Sequence, residues 1–205
     1  MLFRQNLPEL KSKIRILHGL VGLGNVDVYL SGNLVGKDLA FSDVTCYENI
    51  APDSYEFQIY NSGTYDNPIM SRKIDIAPST NITVAIIENN NRYNIIILND
   101  ATVKGKATIT FLRFINLSIN APLMTLSLPN DIRLFDNVEY SEITGYYPLS
   151  PAIYDFKISF ASIAGLYKFI NDKTLKNGRF YTIYIIGLLN KKPEIGYILL
   201  EDGEL

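Results

Sequence analysis

The sequence predicts an all-β protein made of two tandem antiparallel β-sandwich domains of the immunoglobulin or prealbumin type. Three observations support this fold class: short runs of alternating apolar and polar residues, turn-forming residues between those runs, and a long internal repeat. We find no amphipathic helical stripe longer than about two turns, so helices contribute little to the predicted fold.

The internal repeat is the strongest of the three observations. Pro52-x-x-Tyr55 recurs as Pro151-x-x-Tyr154, an offset of 151 − 52 = 99 residues. Four further blocks recur in the same order at offsets between 98 and 102, namely residues 15–18 onto 113–116, 41–47 onto 140–146, 82–87 onto 181–186 and 95–100 onto 197–202. Ordered similarity of this kind is typical of duplicated structural units.

The repeat also sets the predicted domain boundaries. We expect an N-terminal arm at residues 1–12, a first sandwich at 13–103 and a second sandwich at 104–205. A short polar linker around residues 101–106 separates the two sandwiches. The arm has no counterpart in the second half, and it offers a strand that a neighbouring sheet could accept.

Two kinds of strand are predicted within each half. Residues 26–30, 55–60 and 154–158 alternate between apolar and polar side chains, which is the pattern of half-buried strands. Residues 82–87 and 95–98 are almost continuously apolar, which predicts central strands or strands covered on both faces.

Turn-forming residues separate these strands. The Asn177-Gly178 pair predicts a tight hairpin, because both residues tolerate positive φ. Tyr55 and Tyr154 each follow a proline just before a strand, and we predict that both are structural corners whose hydroxyls bond to a loop backbone. Other turn signals lie at residues 31–33, 52–54 and 88–91.

Composition excludes several classes of protein. The formal net charge of −2 gives no basic face for nucleic acid. The single cysteine, Cys46, excludes an intramolecular disulfide. We predict no signal peptide, and no apolar run approaches the roughly 18 residues of a membrane span.

Reactive groups are too sparse to predict an enzyme. A zinc site needs more ligands than His18 and Cys46 supply, and no serine lies in a recognisable nucleophile motif. We therefore predict no catalytic residue, no cofactor and no metal. The weaker alternatives are an acid–base pair of Asp43 and Glu142, and a calcium site formed by Asp27, Asp38 and Asp43.

Tyrosines near loops are the candidate contacts for a ligand or partner. We single out Tyr65, Tyr146, Tyr147 and Tyr167, whose rings could form a platform for a glycan or a protein. The alternative for each is packing between domains or within a turn. The low-charge runs at residues 93–98 and 183–189 are core strands if they are buried in a sheet. On an unprotected edge they would favour self-association.

These blocks resemble the bacterial DUF4397 family, a domain of unknown function that usually occurs in tandem. Its copies open with a strand reading roughly Val-Arg-Phe-Val-His, followed by Val-Asp-Val, an aromatic segment ending in Thr-x-Tyr, and a Pro-x-Gly-x-Tyr corner. The matching segments are residues 15–18, 26–29, 41–47 and 52–55 in the first half, and 113–116, 140–146 and 181–187 in the second. The resemblance implies a non-catalytic module of the cell envelope, and Clostridium-like members share the two copies and the lack of an obvious export signal.

The chain departs from the family pattern at several positions. Residues 19–25 replace the family's proline-rich loop, and the corner glycine is Ser54 in one half and Ile153 in the other. The opening histidine is Asn116 in the second half. If that histidine carried a shared activity, the chain has lost it in at least one copy.

The leading functional hypothesis is a non-catalytic structural or adhesive module of the bacterial cell envelope or spore surface. The alternative is a carbohydrate- or small-ligand-binding module that uses loop aromatics. A hydrolase with an unrecognised site ranks third, and it requires a deep pocket with two converging acids.

Overall fold

A computed structural model describes residues 11–203, and every regular element within that range is a β-strand. The first eight strands are β1 (Ser12–His18), β2 (Val26–Leu30), β3 (Asn33–Leu39), β4 (Glu48–Ile50), β5 (Ser54–Asn61), β6 (Met70–Asp75), β7 (Asn81–Asn89) and β8 (Arg92–Asp100). The next eight are β9 (Thr110–Asn116), β10 (Met124–Ser127), β11 (Arg133–Val138), β12 (Tyr147–Leu149), β13 (Ala152–Phe160), β14 (Tyr167–Leu175), β15 (Phe180–Ile186) and β16 (Gly196–Asp202). The predicted all-β class is confirmed.

These strands form four sheets of four strands each. In the first half the orders are β4-β1-β7-β8 and β3-β2-β5-β6, and in the second half β12-β9-β15-β16 and β11-β10-β13-β14. Adding eight to each strand number of the first half reproduces the second. One parallel pair, β1 with β7 or β9 with β15, occurs in each half, and the other ladders are antiparallel.

Each half buries its own core between its two sheets. In β1, Ile14 and Ile16 point into the first core, and in β9, Leu112 and Phe114 point into the second. The alternation of side chains along a strand leaves the residues between them on the opposite face. We call each pair of sheets a sandwich, and we call the sheets that contain β1 and β9 the inner sheets.

The inner sheets pack against each other. A third apolar cluster joins them, with Leu17, Ala85, Ile87 and Leu98 from the first sandwich and Ile115, Leu117, Tyr184 and Ile186 from the second. Strands β7 and β15 are therefore covered on both faces, which accounts for their nearly continuous apolar sequences. The order of layers is outer sheet, inner sheet, inner sheet, outer sheet.

The segment that connects the sandwiches lies between Asp100 and Thr110. It is anchored by a backbone hydrogen bond of 3.1 Å from the Gly105 amide to the Gly178 carbonyl. Ser12, which the sequence places in the N-terminal arm, is buried and begins β1. The rest of the arm, apart from Lys11, lies outside the described residues.

The prediction of a hairpin at Asn177-Gly178 is wrong. Gly178 does take a positive φ of 69°, but β14 and β15 belong to different sheets, so this turn crosses from the outer to the inner sheet. A tight hairpin instead joins β7 and β8, where Asn90 and Asn91 both have positive φ. Local turn chemistry specifies the reversal but not the sheet that the next strand joins. Within residues 11–203, no helix is long and apolar enough to cross a bilayer.

Candidate functional site

Four polar residue types from each half meet where the inner sheets face each other. On β1, Arg15 lies between Ile14 and Ile16 and therefore points away from the core of its own sandwich. The same alternation turns Arg113 toward the junction from β9. The remaining members are Thr83, Asp100 and Tyr47 from the first half, and Thr182, Asp202 and Tyr146 from the second. We call these eight residues the junction cluster.

The guanidinium of Arg15 spans the two sandwiches. Its Nε donates to Oγ1 of Thr83, in the same sandwich, at 2.7 Å. Its Nη1 donates to the carbonyl of Glu201 at 3.0 Å, and its Nη2 pairs with the carboxylate of Asp202. Arg15 is therefore held in place by a residue of its own inner sheet, and its charge is paired with a carboxylate of the other inner sheet.

Arg113 makes the reciprocal set of contacts. Its Nε donates to Oγ1 of Thr182 at 2.8 Å, and its Nη1 donates to the carbonyl of Asn99 at 2.9 Å. Its Nη2 pairs with Oδ1 of Asp100 at 2.5 Å. Each arginine thus takes its closest carboxylate from the opposite half, as in an isologous interface between two copies of one domain.

A tyrosine covers each arginine. The Cζ of Arg15 lies 4.5 Å from the ring centroid of Tyr47, and the Cζ of Arg113 lies 4.6 Å from that of Tyr146. Both distances are within the range of cation–π attraction. The Tyr47 hydroxyl donates to Asp100 at 2.6 Å, and the Tyr146 hydroxyl donates to Asp202 at 2.8 Å.

Burial dominates the electrostatics of the junction cluster. The side chains of Asp100 and Asp202 are 0% exposed. Burial, followed by repulsion from Asp100, raises the pKa of Asp202 above its ordinary value. Burial lowers the pKa of Arg15, but the attraction of Asp202 and Asp100 outweighs it, and the net pKa is raised. Two arginines and two aspartates are therefore paired within the cluster.

Each carboxylate oxygen of Asp100 and Asp202 already accepts at least one hydrogen bond. Asp100 accepts from Arg113, Tyr47 and Thr83, and Asp202 accepts from Arg15, Tyr146 and Thr182. Groups that are paired and buried in this way hold a structure together, whereas a general base needs an open path to a substrate. The arrangement therefore holds the two sandwiches together through ion pairs and hydrogen bonds.

An open groove of about 690 Å³ runs beside the junction cluster. Cys46 lines it from the first sandwich, together with Lys13 and Tyr47. Glu201 is the one acid among the described residues that line it, and Nη1 of Arg179 lies 3.1 Å from Oε1 of that glutamate. Within residues 11–203, the groove does not bring two acids together.

The tyrosines predicted as ligand contacts lie at separate places. Tyr146 is the junction residue described above. Tyr147 is 41% exposed, and its ring centroid is 6.1 Å from that of Phe135. Tyr65 stacks on Tyr60 at 4.8 Å, over the outer sheet of the first sandwich. Tyr167 begins β14 on the outer sheet of the second sandwich, and the four rings form no common platform.

Tyr55 and Tyr154 occupy equivalent corners. The Tyr55 hydroxyl donates to the Ala51 carbonyl at 2.9 Å, and the Tyr154 hydroxyl donates to the Ser150 carbonyl at 2.7 Å. In each case the ring begins a strand of the outer sheet and packs at the edge of the core. The hydroxyl ties that strand to the preceding loop.

The residues considered for catalysis or calcium binding accept hydrogen bonds from neighbouring turns and strands. Asp43 accepts from the Ala40 amide at 2.9 Å, and Glu142 accepts from the Glu139 amide at 2.8 Å. Asp27 accepts from the amides of Asp38 and Gly63. Among the residues that the structure describes, no group of three or more histidine, cysteine, aspartate or glutamate side chains is arranged to hold a metal.

His18 is buried at the end of β1. Its Nε2 lies 3.2 Å from the carbonyl of Gly24, while its Nδ1 has no hydrogen-bond partner among the described residues. Burial lowers the pKa of His18 and so favours the neutral ring.

Sequence reasoning did not assign a role to Arg15, Arg113, Asp100 or Asp202. The signal was nevertheless present, because each residue recurs at an equivalent place in the repeat, within or at the end of an apolar strand. A repeated charge in an apolar strand indicates a buried ion pair. What the repeat does not reveal is that the pairs form between halves.

The chain was compared with protein-family models, curated proteins and solved structures. A family model described as Domain of unknown function (DUF4397) matches residues 12–127. No curated protein matches the sequence. Among solved structures, the chain is similar to the tip fimbrial protein Mfa3 from Porphyromonas gingivalis with C-terminal truncation, at 12% identity and a TM-score of 0.30, over 95% of this chain and 100% of that one. The family match covers the first sandwich and ends at the last residue of β10 in the second.

Proposed function

The chain belongs to the DUF4397 family, and we propose that it acts as a non-catalytic structural or adhesive module of the bacterial cell envelope or spore surface. The observation that carries this proposal is the junction cluster. It joins the two sandwiches through buried ion pairs and a shared apolar layer. Domains joined only by small polar contacts move relative to one another, whereas this junction is buried and partly apolar. A stiff two-domain unit of this kind suits a load-bearing or spacing role.

We propose further that the second sandwich is a diverged second copy of the family domain, as in the Clostridium-like two-copy members. Support comes from the identical strand order of the two halves and from the junction residues that both halves supply. The arrangement of eight strands in two packed, mainly antiparallel sheets favours the immunoglobulin or prealbumin class for each copy.

The proposal that the chain is not an enzyme rests on how its polar groups are used. The acids of the junction cluster are saturated with donors, and the part of the neighbouring groove that the structure describes is lined by one acid rather than two. Hydrolysis by paired carboxylates requires two acids about 5–10 Å apart across a substrate. The contacts favour a structural module over the hydrolase alternative.

Location is the direct test of the proposed role. The native host would be fractionated as growing cells and as spores, and the chain detected with an antibody raised against the purified protein. Immunogold labelling of intact and sectioned cells would follow, with a ribosomal protein as the internal control. We expect label at the envelope or the spore surface. Label that follows the ribosomal control throughout would contradict the proposal.

A further inference from the structure

The outer sheet of the second sandwich carries a small polar pocket of about 270 Å³. Its wall is the ring of Tyr167, which is 46% exposed. Its floor is formed by side chains of β10 and β13, among them the hydroxyls of Thr125, Ser127 and Ser159. Lys157, Asp131 and Arg133 complete the lining. The volume is just below the ~300 Å³ at which ligand pockets for larger molecules begin.

The equivalent place on the first sandwich is filled. In the first outer sheet, Tyr29 pairs with Gln58 and Asp27 pairs with Tyr60. The same ladder in the second outer sheet pairs Ser127 with Lys157 and Thr125 with Ser159. Ser127 and Ser159 therefore occupy the positions of Tyr29 and Tyr60.

Those tyrosines form one aromatic cluster with the loop residue Tyr65, in which Tyr60 and Tyr65 are stacked and Tyr29 meets Tyr60 edge-on. The ring centroids of Tyr29 and Tyr65 are 4.7 Å apart, and those of Tyr60 and Tyr65 are 4.8 Å apart. Two serines in place of two tyrosines remove this aromatic volume from the second sandwich. The pocket is the space that remains, lined by hydroxyls.

The charges around the pocket cancel. Lys157 forms an ion pair with Asp131, and Nη1 of Arg133 lies 3.0 Å from Oδ2 of Asp136. The Lys157 Nζ also lies 4.8 Å from the ring centroid of Tyr167. Because each cation already has a carboxylate partner, the pocket offers no strong attraction to a free anion.

Unused hydrogen-bonding groups face the pocket. The side-chain hydroxyls of Ser159 and Tyr167 make no hydrogen bond to another of the described residues. Asp131 is an exposed acceptor, and Lys157 retains further N–H donors. The pocket thus combines one aromatic face with several neutral and mutually compensated polar groups.

We propose that this pocket binds a single ring of a neutral saccharide. The C–H face of the sugar packs on the ring of Tyr167, while its hydroxyls exchange hydrogen bonds with Ser159, Asp131 and Lys157. One such ring in a shallow site is expected to bind weakly, because few contacts offset the loss of the sugar's freedom. The site adds a ligand to the proposed structural role and does not depend on that role.

Saturation-transfer NMR on the full chain tests the site. The probes are glucose, galactose, mannose and N-acetylglucosamine, with glucuronic acid and galacturonic acid as anionic comparisons. We expect at least one neutral sugar to show transfer, and neither anion to bind more tightly than that sugar. Absence of transfer to every neutral sugar, or binding of the anions alone, would overturn the proposal.

Two variants locate the binding. Tyr167→Ala removes the wall and is expected to weaken affinity for the binding sugar by about tenfold. Ser127→Tyr combined with Ser159→Tyr fills the pocket as in the first sandwich and should abolish transfer. Tyr65→Ala, on the outer face of the first sandwich, is the matched control and should leave binding unchanged.

Thermal unfolding of each variant shows whether it is folded. The filled double variant provides an independent test if Tyr167→Ala is unstable, because it adds side chains that the other sandwich already accommodates. If saturation transfer to the sugar is undiminished in either folded variant, the sugar binds elsewhere and the proposed site is wrong.

Discussion

The inner faces of the two sandwiches resemble each other more closely than the outer faces do. On the inner faces, both halves supply an arginine, a threonine, an aspartate and a tyrosine in matching geometry. On the outer faces, the tyrosines at positions 29 and 60 of one half correspond to serines at 127 and 159 of the other. The inner faces touch each other, so each half must supply the partner charge that the other needs. The outer faces have no such constraint.

The largest expected effect comes from breaking the charge exchange. Arg113→Met leaves the buried carboxylate of Asp100 without its closest cation, and we expect the free energy of unfolding to fall by about 3–5 kcal/mol. Arg15→Met should cost a similar amount, since its contacts mirror those of Arg113. Urea denaturation measures both losses.

Arg133→Met is the matched control for those two variants. Arg133 also pairs with an aspartate, but its side chain is 66% exposed, so the loss should be below about 1 kcal/mol. If a junction variant lowers the free energy of unfolding no more than this control does, the junction cluster does not hold the sandwiches together. A large difference between Arg15→Met and Arg113→Met would break the equivalence of the inner faces.

A second pair of variants compares Tyr146, which has an equivalent tyrosine in the first half, with Tyr184, which has none. Tyr146→Phe removes a hydrogen bond to the buried carboxylate of Asp202 and should cost about 2 kcal/mol. Tyr184 has no hydroxyl counterpart in the first half, where the equivalent residue is Ala85. Its buried hydroxyl has no partner among the described residues, so Tyr184→Phe should be neutral or stabilising.

Thermal denaturation of the two variants side by side measures this contrast. The two changes remove the same atom from the same layer, so differences in volume cannot explain an unequal result. Equal destabilisation by both would mean that the Tyr184 hydroxyl is satisfied, and the asymmetry between the halves would need another explanation.

A smaller, pH-dependent effect distinguishes His18 from its counterpart Asn116. Because burial lowers the pKa of His18, the unfolded chain takes up a proton near pH 6.5 while the folded chain does not. Stability from this residue is therefore complete above about pH 6.5 and falls as the pH decreases toward the folded pKa. The expected loss is about 1.4 kcal/mol for each unit by which the pKa is lowered.

His18→Asn converts the position to the residue of the second half and isolates this effect. Urea denaturation of both proteins between pH 7 and pH 5 should give a steeper decline for the natural chain. Parallel curves would show that the histidine titrates alike in the folded and unfolded states.

The sequence predicts the strands better than it predicts the junction. Alternation along residues 26–30 or 55–60 is local, and the side-chain period of a strand follows from backbone geometry alone. The partner of Arg15, by contrast, is Asp202, which lies 187 residues away in the other sandwich. Neither periodicity nor the repeat specifies which faces of two domains meet.

The neighbouring residues Tyr146 and Tyr147 illustrate the same limit. Both were candidates for ligand contact, because the sequence places both near loops. In the structure, Tyr146 covers Arg113 at the junction, whereas Tyr147 begins β12 and is 41% exposed. Successive side chains point to opposite faces near a strand, so one residue of register decides between burial and exposure.

The smallest predicted effects concern the corner tyrosines, which test whether the outer sheets remain equivalent away from the pocket. Tyr55→Phe and Tyr154→Phe each remove one hydroxyl that bonds to a carbonyl four residues earlier. Both hydrogen bonds are exposed to solvent, so each change should cost about 0.5–1 kcal/mol. Thermal denaturation should give matching shifts for the two variants. Unequal shifts would mean that the divergence of the outer faces extends to the corners and is not confined to the floor of the pocket.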